Sequence, residues 1–192
     1  MEAFLLSFGI IFVAELGDKS QLMAMTFAAR YRALTILLAI TVATALVHLV
    51  SVAFGAVVGA ALPTDVISIA AGIAFLGFAV WTLRGDELDD GDQARARRTD
   101  RSVFWTVGAA FFLAELGDKT MLATVTLATD DASAGALVGT WLGSTLGMVA
   151  ADALAIVVGQ QLGARLPERA VRIGAAVTFA VFGVVLVVEG LR

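Results

Sequence analysis

Hydrophobic residues fall into six long blocks along this chain, and polar residues gather in the gaps between them. The blocks run at roughly 3–28, 34–61, 66–83, 103–128, 135–162 and 171–189. A helix rises about 1.5 Å per residue, so about 20 residues cross a hydrocarbon layer of about 30 Å. The pattern therefore predicts six helices, each long enough to span a membrane. The gaps "AARYRA", "LPTD", "TDDAS" and "ARLPERAVR" are short. The longest, "RGDELDDGDQARARRTDR" at 84–101, has no apolar periodicity and is dense in charge, so it reads as a solvated linker. Its "DELDDGD" run lacks the Gly-centred twelve-residue pattern of a calcium loop.

The order of polar positions repeats. "AELGDKSQ" at 14–21 is echoed by "AELGDKTM" at 114–121, and "GAVVGAALP" at 55–63 by "GQQLGARLP" at 159–167. The chain thus divides into a first three-helix repeat at 1–83, the linker at 84–101 and a second repeat at 102–192. Three spans per repeat is an odd number. The second copy must enter the membrane from the opposite side, which gives an inverted repeat, an architecture of many secondary transporters. Glycines recur every four residues at Gly139, Gly143 and Gly147, and pair at Gly55 and Gly59 and at Gly159 and Gly163. Such spacing predicts close helix contacts.

Arginine fixes the expected orientation. Arg30, Arg32, Arg84, Arg95, Arg97, Arg98, Arg101, Arg165, Arg169 and Arg172 all fall in gaps on one side, and only Arg192 falls on the other. The positive-inside rule then places the linker in the cytoplasm and both termini outside, in a multi-pass protein of the cell membrane. Trp81, Trp105 and Trp141 lie toward block ends, as interface anchors do.

Composition agrees with an all-α integral membrane protein. The 192 residues are 59% hydrophobic and 16% charged, with a mean hydropathy of +0.91. Cysteine is absent and there is one histidine, which excludes thiolate and imidazole metal centres and any prosthetic group they would hold. No basic patch with interleaved aromatics points to nucleic acid. No H-E-x-x-H element supports a metallohydrolase, so the chain does not read as an enzyme. Self-association is compatible with the composition.

The chemistry lies in the repeated motif. Glu15, Asp18 and Lys19, and again Glu115, Asp118 and Lys119, sit near the middle of apolar blocks. A charge at a helix centre costs about 2.5–3.5 kcal/mol on insertion scales, so these six must face one another, water or an ion. In a continuous helix Glu15 and Asp18 share a face, and Lys19 reaches Glu15 at i+4. Gly17 either admits a neighbouring backbone or lets the helix unwind. Each motif has a net charge of −1, so two motifs meeting at a pseudo-twofold axis match one divalent cation. Glu15, Asp18, Glu115 and Asp118 are the candidate ligands. Ser20, Thr120 and Gln21 are secondary oxygen donors, with Lys19 and Lys119 as charge partners. An all-oxygen set suits Mn²⁺, Ca²⁺ or Mg²⁺ and does not rank them. When the ion leaves, protons relieve the repulsion between carboxylates, which is a mechanism for exchange. An uncoupled channel or uniporter would use the same acids. Asp152 and His48, at equivalent positions of the two repeats, are candidates for a proton relay or an extra ligand.

The element E-x-G-D-[KR]-[ST], present as "ELGDKS" and "ELGDKT", resembles the signature of uncharacterised protein family 16. These are the Gdt1-type, transmembrane-protein-165-like cation exchangers. The resemblance implies six spans in two repeats and transport of Mn²⁺ or Ca²⁺ in exchange for protons. It also implies Glu15, Asp18, Glu115 and Asp118 as ion ligands.

Overall fold

The computed structural model describes residues 1–29, 31–84, 103–162 and 168–192, and all regular structure among them is helical. The first half contains α1 (Glu2–Glu15), α2 (Lys19–Ala28), α3 (Ala33–Ala61) and α4 (Thr64–Arg84). The second half contains α5 (Val103–Glu115), α6 (Lys119–Asp130), α7 (Ala134–Leu162) and α8 (Glu168–Gly190). The expected linker beyond Arg84 lies outside the described residues, as does Gly163.

The first and fourth apolar blocks, expected as single helices, are each two helices. The break falls inside the acidic motif both times. Gly17 and Gly117 have φ of 77° and 81°, and they are the positive-φ residues of the described chain. Only glycine enters that region at little cost, so the motif's own glycine ends the helix.

The halves interlock. α1 packs along α7, and α5 packs along α3. α4 packs against α8, and α3 against α7. α3 also meets α6, and α7 meets α2. Exchanging each helix for its counterpart in the other half maps these pairs onto themselves. Glycines make the approaches close, as their spacing predicts. A Cβ at Gly143 or Gly147 would strike the backbone of Phe4 and Phe8, and one at Gly55 or Gly59 would strike that of Val125 and Thr129.

Two apolar clusters fill the interior. Phe27, Ile36, Ile40 and Phe111 join α2, α3 and α5. Ile11, Phe75, Met148 and Phe179 join α1, α4, α7 and α8, with Phe75 and Phe179 ring centroids 5.8 Å apart.

Polarity is not distributed as in a water-soluble domain. Leu34, Leu38, Val42, Leu46 and Phe54 of α3 face outward, while Glu15, Asp18, Glu115, Asp118 and Asp152 are buried beside the apolar clusters. An apolar exterior with ionisable groups kept inside suits lipid as solvent. Among the described residues, α3 and the Ala134–Val158 part of α7 are long and apolar enough to cross a membrane, with mean hydropathies of 2.4 and 1.7. The apolar stretches Ser68–Leu83, Val103–Glu115 and Ala176–Gly190 are shorter. Trp141 lies at the α3–α7 contact, where its indole N–H donates to the Ala45 carbonyl at 2.9 Å, and Trp105 is exposed.

Candidate metal centre

Each motif builds the same tight turn. Leu16, with φ −61° and ψ 121°, precedes the positive φ of Gly17. The Asp18 N–H donates to the Glu15 carbonyl at 3.1 Å. These are the marks of a type II turn, which requires glycine at its third position. In the second half the Asp118 N–H donates to the Glu115 carbonyl at 3.2 Å across Gly117. The spacing E-x-G-D is therefore the sequence of a turn: Glu ends one helix, Gly takes the positive φ, and Asp starts the next.

Asp18 and Asp118 are the N-cap residues of α2 and α6, with ψ of 165° and 167°, and neither side chain caps its helix. Both carboxylates turn to lysines instead. Lys119 donates to Asp18 in a buried ion pair. Lys19 lies 3.5 Å from Asp118, and its side chain is 22% exposed. Each lysine thus serves the aspartate of the other half. This corrects the expected Glu15–Lys19 pairing. That pairing needs a continuous helix, and the turn at Leu16–Asp18 destroys the i, i+4 relation. It also corrects the shared helix face expected for Glu15 and Asp18.

The glutamates are held within their own motifs. Ser20 donates to Glu15 Oε1 and lies 3.3 Å from Asp18 Oδ2. Thr120 donates to Glu115 Oε2 at 2.9 Å. Glu15 Oε2 and Glu115 Oε1 are buried and accept no hydrogen bond among the described residues. Gln21 is engaged at both ends of its amide. Its Oε1 accepts the Gly17 N–H at 2.8 Å, and its Nε2 donates to the Ala151 carbonyl at 2.9 Å.

These contacts bring three acids to one point. Oxygens of Glu15, Asp18 and Glu115 all lie within 4.8 Å of one another, and all three residues are buried. Asp118 stands outside this trio, beside Lys19. Two unit charges at that separation repel by about 3.5 kcal/mol at an effective dielectric of about 20. Lys119 offsets part of that repulsion. A divalent cation at the common point offsets more, and oxygen donors of this kind suit a hard ion.

Asp152 and His48 occupy different settings. His48 Nδ1 lies 3.3 Å from Thr145 Oγ1 across the α3–α7 contact. The carboxylate oxygens of Asp152 accept no hydrogen bond, so His48 and Asp152 are not bonded to one another. Asp152 is fully buried and lies within electrostatic range of Glu15, Asp18 and Glu115. The side chains of Gln160 and Gln161 lie outside the described residues.

The sequence pattern around these turns is shared with known proteins. The family model described as "Divalent cation/proton antiporter GDT1" matches residues 3–90 and 103–192.

The chain belongs to the GDT1 family.

A Vibrio cholerae protein named "Putative manganese exporter" is 34% identical over 173 residues, covering 90% of this chain and 84% of that protein. The GDT1-like protein sll0615 of Synechocystis is 30% identical and covers 96% of both chains. Protein PAM71 of the Arabidopsis thaliana chloroplast is also 30% identical. It is longer, and the match covers 95% of this chain and 56% of that one. No solved structure matches the chain. Membership makes the chain a membrane transporter of the divalent cation/proton antiporter class.

Two features of the site were missed in the sequence. The exchange of lysines between halves leaves no local signal. The tie from Gln21 to Ala151 joins residues 130 apart.

Proposed function

We propose that this GDT1 member moves Mn²⁺ or Ca²⁺ across the cell membrane in exchange for protons, and that the ion binds where the two motif turns meet. The observation that carries this reading is the trio of buried carboxylates, Glu15, Asp18 and Glu115, with oxygens within 4.8 Å of one another. Buried carboxylates this close need a cation or protons between them, and the two compete for the same oxygens. That competition couples the two fluxes. Asp118 joins the ligand set when the halves rearrange and the lysine pairings exchange tightness.

The membrane arrangement we favour has six spans in two inverted repeats. Each broken pair, α1–α2 and α5–α6, makes one span. α1 has 14 residues and α2 has 10, and at about 1.5 Å per residue they reach about 36 Å end to end. The reciprocal packing of the halves and the same turn in both motifs support this arrangement. Half-helix ends at mid-depth are a recurring way to build transporter ion sites. The linker is cytoplasmic and the termini are outside, following the arginine distribution. Two protons per divalent ion make the cycle electroneutral, and one proton moves a net charge.

The ion is ranked by one relative alone. The name of the Vibrio cholerae protein carries manganese, and Mn²⁺ is accordingly the first ion to test.

The test is Mn²⁺ flux in vesicles containing the purified chain, with and without an imposed pH gradient. Flux should follow the gradient. Asp18→Asn and Asp118→Asn should each lower it by about 100-fold or more, equivalent to about 2.7 kcal/mol, while the protein stays folded. Flux indifferent to the gradient would identify an uncoupled channel or uniporter instead. Near-normal flux in either variant would remove that aspartate from the site.

A further inference from the structure

The motifs do not account for every acid at the centre. Asp152 comes from α7, which carries no motif. It has 0% exposure, and neither of its oxygens accepts a hydrogen bond among the described residues. An ionisable side chain kept at membrane depth without a partner is costly, and such residues mark ion or substrate pathways. The acidic neighbours of Asp152 are like it in sign and add to that cost. Glu15, Asp18 and Glu115 all lie within its electrostatic range.

The backbone beside it is anchored to the same centre. Ala151 accepts from Gln21 Nε2 at 2.9 Å, and Gln21 Oε1 holds the Gly17 N–H at 2.8 Å. One side chain therefore ties the first motif's turn to α7 at the residue next to Asp152. The equivalent position in the first half is His48, which faces Thr145. The centre is thus lopsided: α7 adds an acid to it, and α3 adds none.

We propose that Asp152 is a further oxygen ligand of the transported divalent cation, reaching the centre from α7 and joining Glu15, Asp18 and Glu115. This rests on the exchange reading above. Asp152 stands outside the trio whose oxygens share the 4.8 Å limit, so it approaches the ion from another helix. A ligand contributed by α7 lets the ion sense the position of that helix relative to the motif turns.

Equilibrium binding of Mn²⁺ to the purified full chain in detergent tests this, with free Mn²⁺ read by its electron paramagnetic resonance signal. Asp152→Asn should weaken binding about tenfold or more, as Glu115→Gln should. Asp152→Glu should restore part of the loss, and Glu189→Gln, at the exposed end of α8, should leave binding unchanged. Thermal melting of each variant separates lost binding from lost fold. Wild-type affinity in a folded Asp152→Asn protein would overturn the assignment. So would a loss that Asp152→Glu does nothing to restore. If Glu15→Gln and Glu115→Gln also bind like the wild type, the exchange site itself is misplaced. The two failures are therefore distinguishable.

Discussion

The two motif turns share a backbone and differ in what holds them. In the first, Gln21 accepts the Gly17 N–H and also reaches across to α7. In the second, the corresponding Met121 offers only its sulfur to the Gly117 N–H, at 3.1 Å. The first turn is half-buried, whereas Leu116 and Gly117 are exposed. The ion pairs differ in the opposite sense, since Lys119 is buried with Asp18 and Lys19 is partly exposed beside Asp118. Local sequence dictates the turn, and the surrounding helices decide how tightly it is held. Two copies of one motif thus become one anchored turn and one looser turn.

The lysines should break that equivalence most. Lys119→Gln leaves Asp18 buried without its ammonium, a change that costs about 3–5 kcal/mol. Lys19→Gln also strips a buried aspartate, but water reaches the 22% exposed Lys19 side and replaces part of the loss, so it should cost less, about 1–3 kcal/mol. Thermal unfolding in detergent measures both, and equal losses would show that the halves hold their pairs alike.

The glycines should behave as equals. Gly17→Ala and Gly117→Ala each force a side chain into positive φ, at about 1–2 kcal/mol. A large difference between them in the same melting assay would mean that the turns do not share a backbone.

The anchors should separate the turns again, by less. Gln21→Met removes two hydrogen bonds and should cost about 1 kcal/mol. Met121→Gln should change stability by less than about 0.5 kcal/mol or raise it slightly. Amide hydrogen exchange at Gly17 and Gly117 would sharpen the result, with Gly17 slower in the wild type and the order narrowing in Gln21→Met.

The smallest effect concerns the turn between α6 and α7. Asp131 accepts the Ser133 N–H at 2.8 Å, which holds its carboxyl below the ordinary value. Its folded pKa is depressed, so its contribution is present above the unfolded pKa and fades as pH falls through the folded one. Asp131→Asn should lower the melting temperature slightly at neutral pH, and the difference should vanish in acid. A constant difference at all pH values would point to the amide geometry rather than the charge.

Much of this was legible in the chain itself. The apolar blocks located the described helices but not their number, since the first and fourth each hold two. The repeated E-x-G-D-K pointed to the candidate site, since six charges inside apolar blocks need a common explanation. What the chain hid was geometry between halves. Gly17 allowed either a close approach or a break, and only the described backbone, with its φ of 77°, chose the break. Once the helix breaks, spacing rules for a continuous helix assign the wrong partner to Lys19. Asp118 fell outside the trio for a similar reason. Its partner comes from the other half, at a distance that no local spacing encodes.

The crossed lysines also bear on how such a chain is made. While the first half alone has left the ribosome, Asp18 has no Lys119 to meet and Lys19 has no Asp118. Neither crossed pair can form until the second half is synthesised and packs against the first. Completion of the polypeptide is then what supplies both pairs, and either half expressed alone lacks them.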